Sequence, residues 1–492
     1  VQPVSYEILK HMKPAFLFIL LGILLPWHSL AQEPFALATD HVSLRLSFDF
    51  PGETLEGQCT LKITNPSDET IDRIPLLLYR LMPVSAVTNE AGEAIGFSQQ
   101  VVSFDGFPRW QVNHVLIEEP VGPHETKTIS IDYGGYLLGY QETGMRYVTD
   151  RIDPAFTLLR LDAFAYPVVG IPDIAFLQRH MTGNLFSFEV EATVPDTLMV
   201  ANGGILASVT HDGTGSSTYR YLSKQPAYRI DLAVAPYNKL EAGPLDIFYL
   251  GDSLAAARIA GHGQRAWEQY RSWWGDLSGS NRIAIIETER GSGGQADETC
   301  ILLPEEGFSD DSDFQYLYHE LSHLWHVKIR EKQGISPRWE EGLATFTQVL
   351  ADQCLNPGRE GLLDRDVRNT LARFRRSLER SPLLRETPMI DYGNDGLTSY
   401  SYTQPMLMFS LLYDWLGAEV FHQAVGGFYQ QYQATGASTC DFTDYWERLV
   451  PDEPLARFFN DWVYTTAYTE LILGGLSPEE MIRHYNEGTT TD

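Results

Sequence analysis

The sequence predicts an α+β protein, with an antiparallel, β-rich N-terminal domain followed by a mainly helical domain. Three observations carry this. From about Phe35 to Leu250, runs such as His41–Phe50, Thr128–Tyr133 and Phe186–Ala192 alternate apolar and polar residues, the period of a half-buried strand. From about Asp252, apolar residues recur at helical spacing, as in Leu254–Trp274 and Leu362–Leu378. Strands and helices are therefore segregated along the chain, which argues against a mainly parallel nucleotide-binding fold.

Taken in order, the chain opens with Lys10, His11 and Lys13 ahead of an apolar stretch, Ala15–Trp27, and a small-residue site at Ser29-Leu30-Ala31. That is the pattern of a signal peptide over 1–31, with Met12 a possible natural start. Its apolar core of 13 residues is too short to span a bilayer. No cysteine sits at the cleavage point, and no later stretch approaches 18 consecutive apolar residues. The expected product is exported, periplasmic or secreted, without a stable membrane anchor. The β-rich domain should occupy 32–250 and the helical domain 251–476, leaving a polar tail over 477–492. Within the helical half, one strand-like run, Arg282–Thr288, leads through a glycine-rich turn at Gly291–Gly294 to an edge strand. That turn lacks the lysine of a phosphate-binding loop, and no Gly-x-Ser-x-Gly elbow is present. A net charge of −29, from 36 basic and 65 acidic residues, argues against a nucleic-acid partner. The one basic cluster, Arg365 to Arg380, flanks an apolar stripe and reads as a solvated amphipathic helix. Cys59, Cys300, Cys354 and Cys440 form no Cys-x-x-Cys pair, and sequence cannot choose among their three possible disulfide pairings.

The chemistry is carried by His319-Glu320-Leu321-Ser322-His323. On a helix the two histidines stand one turn apart on the same face and can grip one metal ion. Glu320 is then placed to act as general base on a water at that metal. This helix should start at Asp310–Asp313 and end by Gly334, with Lys328, Arg330 and Lys332 near its C-terminal end. A second helix should start at Ser336-Pro337 and return antiparallel, bringing Glu341 beside the histidines. Glu340 competes for the ligand role, but the two glutamates point roughly 100° apart, so only one can face the metal. His326, about one turn beyond His323, is expected behind the ligands, since a fourth protein ligand would displace the water. Three ligands and an open position define a catalytic site for one zinc ion per chain.

Glu341-Gly342-Leu343-Ala344 after this motif resembles the gluzincin aminopeptidases, the family of aminopeptidase N and leukotriene A4 hydrolase, with one residue fewer than usual before the glutamate. The resemblance implies a thermolysin-like catalytic domain behind a β-rich domain that covers the cleft, and Glu341 as the ligand. Tyr402, 61 residues after Glu341, matches the family's catalytic tyrosine, with Tyr400 as the alternative. Gly294-Gln295-Ala296-Asp297-Glu298 resembles the family's substrate-edge strand, whose glutamate binds the substrate's α-amine. A gapless match places Asp297 there and Glu298 beside it. All these motifs fall within 294–429, and the family's large helical C-terminal domain has no counterpart here, so a more open cleft, or one closed by a partner subunit, is expected. The function implied is an exported zinc metallopeptidase that removes residues from free peptide N-termini, with Glu320 and Tyr402 catalytic. The alternatives are a zinc endopeptidase of the same fold, if the altered edge strand has lost amine binding, and a catalytically weak peptide-binding or scaffold protein.

Overall fold

The computed structural model describes residues 37–174, 176–177, 183–279, 282–309, 314–331, 335–394 and 396–487, and the signal-peptide reading lies outside them. Residues 37–492 form one compact unit. As expected, a β-rich region, residues 38–249, precedes a helical one.

The largest sheet has seven strands, in spatial order Ile205–His211, Ser216–Leu222, Ser187–Pro195, Ala38–Asp49, Thr54–Thr64, Thr126–Tyr136 and Val84–Asn89. Its pairs are antiparallel except one: Ala38–Asp49 runs parallel to Ser187–Pro195, with His41 opposite Ser187. The alternation that predicts these strands is the alternation of their burial. Val42, Leu44 and Leu46 are buried, whereas Arg45 and Ser47 face solvent. A four-stranded sheet over 74–169 and a three-stranded one over 157–235 complete the region.

The expected boundary at residue 250 falls inside a shared sheet. Asn238–Ala242 and Leu245–Tyr249 belong to a five-stranded sheet with Ile283–Thr288, Cys300–Pro304 and the short edge strand Gln295–Ala296. Leu245–Tyr249 and Ile283–Thr288 pair in parallel, joined by the helix Ser253–Trp274, so this sheet draws strands from both sides of 250. Asp252 caps that helix, its carboxylate accepting the backbone N–H of Leu254 and Ala255.

The helical region packs around one large core. Trp267, Tyr270 and Trp274 of the helix Ser253–Trp274 meet Trp325, whose Nε1–H donates to the Gly275 carbonyl at 2.9 Å. The helix Glu340–Leu355 contacts the histidine-bearing helix Gln315–Ser322 on one side and Gln404–Leu416 on the other.

Both site helices are shorter than the sequence suggests. The first runs from Gln315 to Ser322, tightens into one 3₁₀ turn, His323–Trp325, and turns extended at His326. Beyond it the chain buries Val327 and Ile329, and the Arg330 N–H donates to the Ala437 carbonyl at 2.8 Å. That pairing, which sequence periodicity does not reveal, removes Lys328 and Arg330 from the helix end; Asp310–Asp313, Lys332 and Gly334 lie outside the described residues. The second helix starts at Glu340, because Arg338 takes a left-handed conformation, φ 55°, and Trp339 is buried among Phe409, Phe428 and Phe442.

Candidate active site

His319, His323 and Glu341 converge, with one potential ligand atom from each lying within 4.8 Å of the others. His319 Nε2 is 3.4 Å and His323 Nε2 3.5 Å from the same oxygen, Glu341 Oε2. The other carboxylate oxygen, Oε1, accepts from the Arg338 guanidinium. On the far side of its ring, His319 Nδ1 is 2.8 Å from Gln348 Oε1, which fixes Nδ1 as the protonated nitrogen and leaves Nε2 a lone pair for a metal. Although burial opposes its charge, Arg338 and the two imidazoles hold the Glu341 carboxyl well below the usual range, so this candidate ligand is ionised. Two imidazoles, one carboxylate and an orienting partner are a donor set that fits zinc. Glu340 is absent from this cluster, and His326 sits behind His323, their Nδ1 atoms 3.1 Å apart.

Two ionisable groups stand beside this cluster, Glu320 and Tyr402. Glu320 is buried, and burial, reinforced by the Glu341 charge and opposed by His319, pushes its carboxyl up to about 7. Gly294 packs directly on it: a side chain at this position would collide with Glu320 Oε1 and with the Tyr316 ring. The Gly294 N–H donates to the Tyr316 hydroxyl at 2.7 Å, tying the edge segment to the histidine helix. Tyr402 lies in a 3₁₀ turn, Thr398–Tyr402, just ahead of the helix Gln404–Leu416, and its ring stacks on His319 with centroids 6.1 Å apart. Burial and then the Glu341 charge raise its hydroxyl pKa, so the phenol keeps its proton. Tyr400 instead packs near Phe374. Gly342 makes this neighbourhood possible. A Cβ there would lie 2.5 Å from Pro405 Cβ and 2.7 Å from the Met406 nitrogen, so only glycine lets the Glu341 helix approach the Tyr402 segment this closely.

These residues open on a cleft of about 1170 Å³ whose facing wall comes from the β-rich region, through Tyr147, Arg160, Asp162 and Phe164. The edge strand contributes Gly293, Gly294, Gln295 and Ala296. Asp297 and Glu298, expected at this edge, do not line the cleft. Asp297 is buried and closes its own turn, Oδ1 accepting from Thr299 N at 2.6 Å, Thr299 Oγ1 at 2.7 Å and Cys300 N at 2.7 Å. Glu298 turns toward Lys328, 3.9 Å from its Nζ. Near this end the cleft is lined by two carboxylates, Asp162 and Glu306; Asp162 accepts from Arg229 at 2.9 Å and Gln295 at 3.1 Å. Burial alone would raise its pKa, but Arg229, Arg160 and Gln295 hold it at about 2.

Four contributors escaped sequence reading. Gln348 stands seven residues after Glu341 on one helix and Tyr316 four before Glu320 on another, so helical spacing was a usable signal for both. Arg338 and Asp162 gave none, because one depends on a left-handed residue and the other on a 3₁₀ turn, Leu161–Ala163, more than 130 residues before the edge strand. The four cysteines are not joined by disulfides. Among the described residues, no helix is long and apolar enough to cross a membrane.

A β-rich region, a mainly helical region and a His-His-Glu cluster with an adjacent glutamate form a metallohydrolase-like arrangement. No protein-family model matches the chain, and neither does any curated protein. Solved structures do. An M1 zinc metallopeptidase from Deinococcus radiodurans is 18% identical, with a TM-score of 0.62 over 87% of this chain and 94% of that chain. A point variant of an M1 zinc metallopeptidase from the same organism, solved with a Tyr-Ser-Ala substrate, gives 17% and 0.63 over 87% and 94%. A two-domain M1 zinc metallopeptidase variant bound to L-arginine gives 17% and 0.60 over 90% and 95%. The chain therefore has the M1 zinc metallopeptidase fold.

Proposed function

We propose that this chain is an exported zinc metallopeptidase that removes residues from free peptide N-termini. The observation that carries the reading is the convergence of His319, His323 and Glu341 beside Glu320 and Tyr402 on the floor of one cleft. The three ligands would hold zinc, which when bound supplies the Lewis acidity that polarises the scissile carbonyl and lowers a water's pKa toward about 7. Glu320 takes a proton from the attacking water and returns it to the leaving amine, a role suited to a carboxyl pushed up to about 7. Tyr402, protonated and beside His319, donates to the oxygen that gains charge as the carbonyl becomes tetrahedral. Export rests on the N-terminal apolar stretch and the Ala31 site.

Exopeptidase action needs a carboxylate for the substrate's α-ammonium group, since that cation is costly to bury unpaired. With Asp297 and Glu298 turned away, we assign this role to Asp162, which borders the cleft beside Gln295. The same displacement of Asp297 and Glu298 favours the endopeptidase reading as the second choice. Matched peptides with free and N-acetylated ends decide between them. The expected result is release of N-terminal residues from free peptides and at least tenfold slower cleavage of blocked ones. Equal cleavage of both would refute the aminopeptidase reading and leave the endopeptidase.

A further inference from the structure

Among the described residues, four Lys and Arg side chains line the cleft: Arg160, Arg229, Lys328 and Arg338. Three are committed elsewhere. Arg160 is buried on Asp150, with Nη2 at 2.8 Å. Arg229 is buried among Asp162, Asp231 and Gln295. Lys328 sits over the Tyr228 ring at 4.5 Å and faces Glu298. Arg338 differs. Its side chain is 42% exposed, and its one side-chain hydrogen bond among the described residues runs from Nη2 to Glu341 Oε1. A guanidinium has five N–H donors in a planar fork, so a single bond to Glu341 leaves donors available to a ligand in the cleft that Arg338 lines.

We propose that Arg338 forms a carboxylate-binding subsite beside the metal centre, selecting peptides that carry a carboxylate within one residue of the scissile bond on the leaving side. The inference rests on the peptidase reading above and names the substrate class that reading leaves open. Arg338 touches the outer oxygen of Glu341 while the inner oxygen faces both histidines. The fork therefore stands beside the place where the scissile carbonyl must sit. Successive residues of an extended chain are only about 3.5 Å apart, so the group within its reach belongs to a residue next to the cut; with the α-ammonium side assigned to Asp162 above, that is the first residue after it. Two sources of carboxylate satisfy this: the free C-terminus of a dipeptide, or an aspartate or glutamate side chain at that residue. Planar, two-point pairing with carboxylate is what a guanidinium does better than an ammonium. The backbone supports the assignment. A left-handed arginine at φ 55° is uncommon, and here it turns the side chain into the cleft one residue before the buried Trp339.

The test compares the parent, Arg338→Gln and Arg338→Lys, all loaded with zinc and checked for metal content, on paired substrates. One pair is alanyl-alanine and its C-terminal amide, and the other is alanyl-glutamate amide and alanyl-glutamine amide. The parent should show a KM at least tenfold lower for a carboxylate-bearing member, and the pair that shows it identifies the source. Arg338→Gln also removes a contact to Glu341, so the readout is the ratio within each pair: it should raise the KM of the carboxylate-bearing member about tenfold more than that of its neutral partner, at parental zinc content, with Arg338→Lys between. If Arg338→Gln lowers both members of each pair equally, or simply loses zinc, Arg338 only supports Glu341 and the proposal is wrong. Binding calorimetry on zinc-loaded Glu320→Gln with the same four peptides does not depend on turnover. Tighter binding of a carboxylate member supports the subsite even if hydrolysis fails, and equal binding of all four overturns it.

Discussion

Gly342→Ala isolates the contact that places the Glu341 helix against the Tyr402 segment. The added Cβ would meet Pro405 Cβ at 2.5 Å, the Met406 nitrogen at 2.7 Å and the Ser401 carbonyl oxygen at 2.9 Å. All three belong to backbone or to a proline ring, so no flexible side-chain end can yield. Restoring ordinary contact moves the segments apart by about 1 Å, a displacement that costs a catalytic constellation on the order of 100-fold in rate. Overpacking a filled contact costs a further 1–3 kcal/mol or so of stability. The variant should therefore fold, unfold at lower denaturant and retain zinc, because His319, His323 and Glu341 do not lie across the separation. Its kcat should fall by about two orders of magnitude through Tyr402. Gly261→Ala is the control: that glycine lies inside the helix Ser253–Trp274 with no atom within 4 Å of the added carbon, so the change should stabilise by about 0.5–1 kcal/mol. Parental turnover and stability in Gly342→Ala would refute the argument that Gly342 sets the distance between Glu341 and Tyr402.

Metal analysis should find about one zinc per chain in the parent and in Glu340→Ala, and a large loss in Glu341→Ala; the reverse pattern would move the ligand to Glu340. Glu320→Gln should keep its zinc yet lose most turnover, and Tyr402→Phe should lose at least about tenfold in kcat with unchanged metal content, whereas a near-normal rate in Tyr402→Phe would remove it from the chemistry. Asp162 gives a pH signature. Its pKa is held at about 2 against an ordinary 3.8, so its contribution is complete above about pH 4 and is lost as pH falls through 2. A shift of this size is worth about 2 kcal/mol. Chemical unfolding at pH 6 and pH 2 should thus show a smaller acid loss in Asp162→Asn than in the parent, and parallel losses would contradict the pairing with Arg229.

What the sequence revealed is what periodicity and spacing encode. Alternation along His41–Phe50 marked a strand because one sheet face is buried, and the His-x-x-x-His interval placed two imidazoles together because a helical turn is short. The glutamate helix was legible for the same reason, though its first turn was not: a left-handed Arg338 leaves no periodic trace, and the buried Trp339 has its partners 70 to 103 residues further on. Asp297 shows the opposite failure. Its spacing matched a family pattern, yet an aspartate two residues before a threonine N–H is equally suited to closing a turn, and the turn took it. Asp162 approaches Gln295 only through tertiary packing, which no local pattern reports.

The parallel pairing of Ala38–Asp49 with Ser187–Pro195 divides the seven-stranded sheet by sequence distance. On one side lies Thr54–Thr64, joined to the first strand by a turn of a few residues. On the other, every further strand reaches the sheet through the parallel ladder from His41–Ser187 to Ser47–Thr193, between residues 146 apart in sequence. Closing a loop of that length costs about 4 kcal/mol in chain entropy, against about 1 kcal/mol for the hairpin. The first hairpin can therefore pair as soon as it is made. Three of the seven strands, all between Ser187 and Leu222, must wait until the chain has extended that far, so the edge at Ala38–Asp49 stays unpaired until then.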